Sequence, residues 1–321
     1  MTNPVDYFDS LRFWGKKRNR ILQKLKVYGL VNKAIDTFAN LYLPLYFKAT
    51  ANNPKYRLES SRTAGNRIIV SLTSFPKRLP TLHLVIETLL RQTVKPDMII
   101  LHLTKSQIKD INLLPDKLKS LTKRGLHIEL CPDEIRSHTK YYYAFRNFPE
   151  ETVITVDDDL FYRSDLIEHL LRNANMHKGA VIANWTKEII AGKQKYTEWP
   201  DSHTVTSPKR NRLILGVGGV LYPPHSVHED IFDTQSITSL SLTADDVWIT
   251  AMLLKKGTSI YYSGYDYHYL PVNIKNNETL ISGNYVRNQQ CIDAINKYYA
   301  ESGNEMPFYD IPIQNERSLS R

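Results

Sequence analysis

The sequence predicts an α/β protein: a largely parallel sheet with helices on both faces, preceded by a basic helical extension. Three observations carry this expectation. From residue 66 onward, short apolar runs alternate with segments of helical period. No internal repeat or low-complexity segment interrupts them. The positive charge gathers at the front of the chain: residues 1–62 hold 12 Lys and Arg against 4 Asp and Glu, and the remainder holds 30 against 29.

In the extension, Ile21, Leu25, Tyr28, Val31, Ile35 and Phe38 recur at steps of three and four, which places them on one helical face. Lys16, Lys17, Arg18, Arg20, Lys24 and Lys26 gather near its start, after Phe13 and Trp14. This pattern suits a helix lying in the interface of an anionic membrane. It equally suits a helix packed on the rest of the chain or on a partner. Residues 51–66, rich in Asn, Ser and Gly, read as a linker. A body of near-zero net charge argues against nucleic-acid binding, because tracking phosphates over a broad surface takes many Lys and Arg.

Cys131 and Cys291 build no disulfide framework and do not sit at metal-ligand spacing, which favours a reducing compartment. The first residues lack the basic start and apolar core of a signal peptide, and no run approaches the ~20 apolar residues of a membrane span. The expected location is cytoplasmic, with peripheral attachment to the inner face of the cell membrane through the extension.

The elements follow in order. Strands are predicted at 67–72, 98–103, 126–130 and 152–156, with helices at 80–92, 114–123, 138–148 and 164–175 between and after them. Strand-like segments recur at 220–222 and 259–262, and a helix is expected around 288–300. The division is 1–62 extension, 66–270 main domain and 271–321 C-terminal helix and tail.

The fourth strand ends in Asp157, Asp158 and Asp159. In an open α/β sheet, ligands bind beyond the carboxyl ends of strands. Extended backbone lets Asp157 and Asp159 face one way, and three adjacent anions call for a cation; hard oxygen ligands suit Mg2+ or Mn2+. The plainer alternative is a solvated acidic turn before the next helix. A second acidic pair, Asp245 and Asp246, opens a predicted helix. Thr243 and Asp246 stand at capping-box spacing, so Asp246 could cap that helix.

The segments IIVSLTSFPKR (68–78), LLRQTVKPDMIILHL (89–103), VITVDDDLFY (153–162), LGVGGVLYPP (215–224) and LTADDVWITAMLLKKG (242–257) occur in the order found in one family. Together they resemble bacterial glycosyltransferases of GT-A fold that build lipopolysaccharide or capsule. The resemblance implies a metal-dependent transfer of a sugar from a nucleotide-diphosphate donor, a UDP-sugar first, to a glycan or glycolipid acceptor. It implies Asp159 as a direct ligand of Mn2+ or Mg2+, with Asp157 sharing the metal and Asp157 or Asp158 reaching the ribose. His268 would complete the metal shell. Thr73, Ser74, Arg78 and Lys140 would meet the nucleotide. Asp246, with Asp245 beside it, would be the base of an inverting reaction. Gly216, Gly218 and Gly219, read as a loop before a strand, would leave room for a sugar on the acceptor side, and Trp248 or Trp185 would stack on it. Two other classes stay open: a metal-dependent phosphohydrolase using residues 157–159, and a non-catalytic membrane-associated binding protein.

Overall fold

The computed structural model describes residues 3–12, 27–59, 62–272 and 284–310. The expected architecture is present as a mostly parallel α/β sheet flanked by helices. Its seven strands are β1 (Ile68–Thr73), β2 (Met98–Thr104), β3 (Leu126–Cys131), β4 (Thr152–Thr155), β5 (Val181–Glu188), β6 (Arg212–Tyr222) and β7 (Ile260–Tyr262). They lie in the order β3-β2-β1-β4-β6-β5-β7. Strand β6 runs antiparallel to both its neighbours, β4 and β5; the other pairings are parallel.

Strand β1 reads Ile-Ile-Val-Ser-Leu-Thr, apolar at four of six positions and without a charge, because both faces of the sheet are covered there. The helices around the sheet are α1 (Pro4–Leu11), α2 (Val27–Thr50), α3 (Leu79–Leu89), α4 (Thr139–Asn147), α5 (Leu166–Met176), α6 (Asp245–Lys256) and α7 (Asn284–Glu301). On one face, Leu82, Ile86 and Leu89 of α3 and Leu166 and Leu170 of α5 pack with Val70, Leu72 and Leu101. On the other, Tyr141 of α4, Val247 and Met252 of α6 and Ile292 of α7 pack with Val181, Leu213 and Val220.

Helices α1 and α2 are docked on this body. Asn3 caps α1 by accepting from the Val5 N–H at 3.0 Å, with Pro4 in the first turn. Asp6 accepts from the Ser164 N–H at 2.7 Å, and fully buried Asp9 accepts from the His268 N–H at 3.0 Å. Arg12 pairs with Asp36 of α2 at 2.8 Å, and the Asn40 amide donates to the Pro271 carbonyl at 2.9 Å. The buried side of α2 is Ala39, Leu43 and Phe47. This differs from the expected stripe: Tyr28, Val31 and Ile35 are half-buried and Phe38 is exposed. Ile21, Leu25, Phe13, Trp14 and the six basic residues from Lys16 to Lys26 lie outside the described residues. In the segment expected to be a linker, Pro54–Tyr56 forms a turn of 3-10 helix and the Leu58 N–H bonds the Arg124 carbonyl at 3.0 Å.

A buried charge cluster joins this layer to the sheet. Glu87 accepts from Arg124 in two bonds of 2.6 and 3.0 Å and also pairs with Arg91, whose guanidinium lies over the rings of Tyr56 and Phe47. Burial, then the charge of Arg124, lowers Arg91 to about 10, so it keeps its proton at neutral pH. Removing the carboxylate leaves two buried guanidiniums facing each other. Glu87→Gln is therefore expected to cost about 3–5 kcal/mol in urea unfolding; a loss under about 1 kcal/mol would show the cluster to be hydrated or readily rearranged.

Further elements differ from expectation. Strand β5 is not among the predicted strands, the helix expected at 114–123 is a single α-turn at Asp116–Lys119 running into 3-10 helix at Ser120–Arg124, and the glycine-rich segment is no loop but the inside of β6. There Gly218 and Gly219 adopt φ of +84° and +96°, and the β5–β6 register jumps between Ala183 and Trp185. A Cβ at Gly218 would lie 3.3 Å from the Tyr269 ring, and one at Gly219 would meet Leu166 at 3.4 Å.

Candidate functional site

Strand β4 stops at Thr155, and the chain then turns away from the sheet. The turn is fixed at several points. The Val156 N–H bonds the Ser71 carbonyl of β1 at 3.1 Å, and the Val272 N–H bonds the Asp159 carbonyl at 2.8 Å. The buried Tyr162 hydroxyl accepts from the Asp157 N–H at 2.7 Å and donates to the Asp157 carbonyl at 3.2 Å. Asp157, Asp158 and Asp159 are thereby held at the carboxyl end of a central strand.

Their side chains diverge, each toward a cation or hydroxyl of the chain itself. Asp158 is buried; it accepts from the Ser74 hydroxyl at 2.6 Å and pairs with Arg78. Arg78 also reaches Asp159 at 3.1 Å. Asp157 pairs with Lys140 at 3.0 Å. Burial, then the charge of Asp157, pushes the Asp159 carboxyl up to about 6 despite Arg78. Burial raises Asp158 as well.

Lys140 sits near the start of α4, its side chain a tenth exposed, between the two acidic segments. The same ammonium lies 3.0 Å from Asp157 and 3.0 Å from Asp245. Burial works against its charge, but Asp157, Asp245 and Asp246 outweigh that and hold it well above the ordinary lysine value. Asp245 is further fixed by the Ser137 hydroxyl at 2.8 Å. Although burial disfavours its charge, Lys140 and then His138 keep it low, at about 2.

Asp246 differs from its neighbour. Its Oδ1 accepts the Gly216 N–H at 3.0 Å, and burial, then the charge of Asp245, holds its carboxyl well above the usual carboxylate range. It does not cap α6: the N-cap position is Ala244, and no side chain bonds the helix end. The capping alternative is thus set aside. Gly216 is what admits this carboxylate, because a Cβ there would lie 2.9 Å from Asp246 Oδ1 and 3.4 Å from Lys140 Nζ. Gly216→Ala is expected to displace Asp246 and so shift the titration of its carboxyl, while thermal unfolding moves little. An unshifted titration would mean that Gly216 does not set the position of Asp246.

Of the residues singled out from sequence, Ser74, Arg78, Lys140, Asp157, Asp158, Asp159, Asp245 and Asp246 thus form one connected set. Thr73 is turned aside: its hydroxyl donates to the His102 carbonyl of β2 at 2.8 Å. His268 is not brought to the aspartates; its ring faces Asp9 of α1 at 3.3 Å, which raises its pKa. Among the described residues no group of three or more His, Cys, Asp or Glu is gathered as a metal shell. The expected set of Asp157, Asp159 and His268 is therefore not assembled. Trp248 is fully buried in the core beneath α6 and cannot face an acceptor. Trp185 is half-buried, its ring 5.0 Å from that of Tyr269. Ser137, Tyr162 and Gly216 act in the site beyond the roles expected of them. Tyr162 and Gly216 lie inside the quoted segments, but nothing in their spacing reveals what they touch.

Five carboxylates here share two cations, Arg78 and Lys140, so the set carries an excess of negative charge. Two open surface hollows, of about 600 Å3 around His177 and Ser259 and about 560 Å3 around Glu134 and Thr238, include none of these residues.

No protein-family model and no curated protein matches the chain. Among solved structures it is similar to a mannosyltransferase from Pyrobaculum calidifontis in complex with GDP-Man and Mn2+, with a TM-score of 0.45 and 12% identity over 86% of this chain and 77% of that one. It is similar to S. aureus TarS 1–349 in complex with UDP, with a TM-score of 0.40 and 12% identity over 63% of this chain and 59% of that one. It is also similar to a 4-diphosphocytidyl-2C-methyl-D-erythritol synthase, with a TM-score of 0.40 and 10% identity over 71% of this chain and 98% of that one.

Proposed function

We propose that this protein is a glycosyltransferase that moves a sugar from a nucleotide-diphosphate donor to a glycan or glycolipid hydroxyl, with a UDP-sugar as the leading donor. The observation that carries the reading is the bridge at Lys140. One ammonium, 3.0 Å from Asp157 and 3.0 Å from Asp245, joins the acidic strand end to the acidic helix start. Sugar transfer needs two such centres: one for the departing diphosphate and one for the incoming hydroxyl.

At the first centre Asp159, joined by Asp157 once it turns from Lys140, would hold a divalent cation: Mg2+ and Mn2+ are commonly held by one or two carboxylates together with substrate phosphates, so a histidine is not required. The Asp159 side chain is a third exposed, and burial, then the charge of Asp157, raises its pKa despite Arg78. When bound, such a cation offsets the charge that develops on the leaving diphosphate. Arg78 and Ser74 hold Asp158, which keeps the turn in place beneath the donor. Lys140 places positive charge between the two centres.

At the second centre Asp246 takes the proton of the acceptor hydroxyl as the glycosidic bond forms, and the reaction inverts. Its environment separates it from Asp245 in the manner of paired carboxyls with different tasks. Asp245, held ionised by Lys140, is the fixed charge; Asp246, higher in pKa and bonded to Gly216, is the group able to accept and release a proton. The phosphohydrolase alternative uses the first centre only and leaves Asp246 without a role.

The test is release of nucleoside diphosphate from UDP-, GDP- and CDP-sugars, with candidate acceptors and with or without Mn2+. The reading predicts acceptor-dependent release from one donor, stimulated by the metal. Metal-dependent release of inorganic phosphate from phosphate esters, without transfer from any donor, would instead establish the hydrolase.

A further inference from the structure

We infer that the outward face of α2, with the exposed edge of α1, is a membrane-docking surface that seats the protein on an anionic lipid bilayer. The buried side of α2 is accounted for by Ala39, Leu43 and Phe47. Its opposite side carries Leu30, Phe38, Leu41 and Leu45, between 64% and 68% exposed. Their steps of eight, three and four place them along one side of the helix. Tyr42 and Tyr7 of α1, about half exposed, extend the patch sideways.

Four large apolar side chains in one line on a helix are unlike the scattered surface hydrophobes of ordinary globular proteins. No helix among the described residues is long and apolar enough to cross a membrane, so this face would lie in the interface rather than enter the hydrocarbon core.

Charge identifies the occupant. The acidic residue of α2, Asp36, is ion-paired with Arg12, while Lys33 and Lys48 are exposed beside the apolar line. Residues 1–62 carry a net charge of +8, and the sequence joining α1 to α2 supplies Lys16, Lys17, Arg18, Arg20, Lys24 and Lys26. An apolar line with the exposed Lys33 and Lys48 beside it, in a segment this basic by sequence, complements anionic headgroups above acyl chains. A second copy of the chain would bring the same charge to the interface and be repelled.

The docking would be stiff. Asp6, Asp9 and Asn40 tie α1 and α2 to Ser164, His268 and Pro271, and the backbone of residue 272 in turn bonds Asp159. The aspartate turn would therefore be held at a set orientation to the bilayer. This inference stands without the proposed reaction, and its test does not use turnover.

The experiment is flotation of the full chain with vesicles of phosphatidylcholine alone or of phosphatidylcholine with phosphatidylglycerol, at low and high salt. A double variant, Leu41→Asp with Leu45→Asp, is compared in parallel, its fold checked by circular dichroism. The expected result is flotation with the anionic vesicles, weakened at least roughly tenfold by salt, by neutral lipid or by the double substitution. Flotation that the double variant retains would overturn the inference. So would a chain that stays at the bottom with every vesicle, or one that forms a dimer lost in the variant, which would make a second copy the occupant.

Discussion

Asp246→Asn is expected to lower turnover by about 10²–10⁴-fold, the range attached to losing a positioned general base. Nucleotide binding should survive, because Asp246 is bonded to Gly216 of β6 while the turn at 157–159 is held by Ser71, Ser74, Arg78 and Tyr162. The pH dependence follows from the environment of this carboxyl. Burial, then Asp245, raises its pKa, and a base works only when deprotonated. The rate in the wild type should therefore climb with pH through a value well above that of an ordinary carboxylate, and the Asn variant should lose this limb. Stability runs the other way. Between the ordinary and the raised value the folded chain keeps a proton that the unfolded chain has released, so folding weakens as pH rises across that window. The Asn side chain carries no such charge. The variant is thus expected to melt at or above the wild-type temperature at the alkaline end of the window, while being nearly inactive. A variant with normal turnover would remove Asp246 from the mechanism.

The second large effect is expected at Asp159. Asp159→Ala should abolish the dependence of turnover on added Mn2+ and leave a residual rate lower by about 10²-fold or more, with circular dichroism and melting close to wild type. The contrast with its neighbour is informative. Asp158 is buried against Ser74 and Arg78, so Asp158→Ala leaves the Ser74 hydroxyl without its acceptor and Arg78 with Asp159 alone, and should destabilise the fold as well as the activity. If Asp159→Ala melts as early as Asp158→Ala, the role of Asp159 is structural rather than metal-binding.

Much of the sheet is legible in the sequence because β1, β2 and β4 are buried on both faces and are mostly β-branched or apolar, with no charged side chain. Strands β5 and β6 are not. Gly216, Gly218 and Gly219 interrupt the apolar pattern of β6, and a glycine run there looks like a loop until the irregular pairing with β5 is seen. Which face of a helix meets the core is also hidden in spacing alone: Trp248 and Phe38 each sit on a plausible apolar stripe, yet one is wholly buried and the other two-thirds exposed. The acidic residues of both centres stand out by composition and by their place at element ends. What joins them does not, since Lys140, Asp157 and Asp245 are separated by 17 and 88 positions and meet only through the fold. His268 shows the converse. A histidine near the end of the domain suits a metal shell, but Asp9, some 260 positions away, occupies its ring.

The need of three adjacent aspartates for positive charge was a sound physical expectation, and its first answer lies inside the chain. Arg78 and Lys140 neutralise part of the cluster; the remainder is what a divalent cation with a diphosphate would meet.

Calorimetric titration of the full chain with UDP, GDP and CDP, in the presence and absence of Mn2+, tests this most directly. One nucleoside diphosphate is expected to bind, with an affinity that Mn2+ raises by at least roughly tenfold and that Asp159→Ala returns to the metal-free level. Binding that is indifferent to both the metal and the substitution, or no binding of any nucleotide, would contradict a diphosphate site where β4 ends.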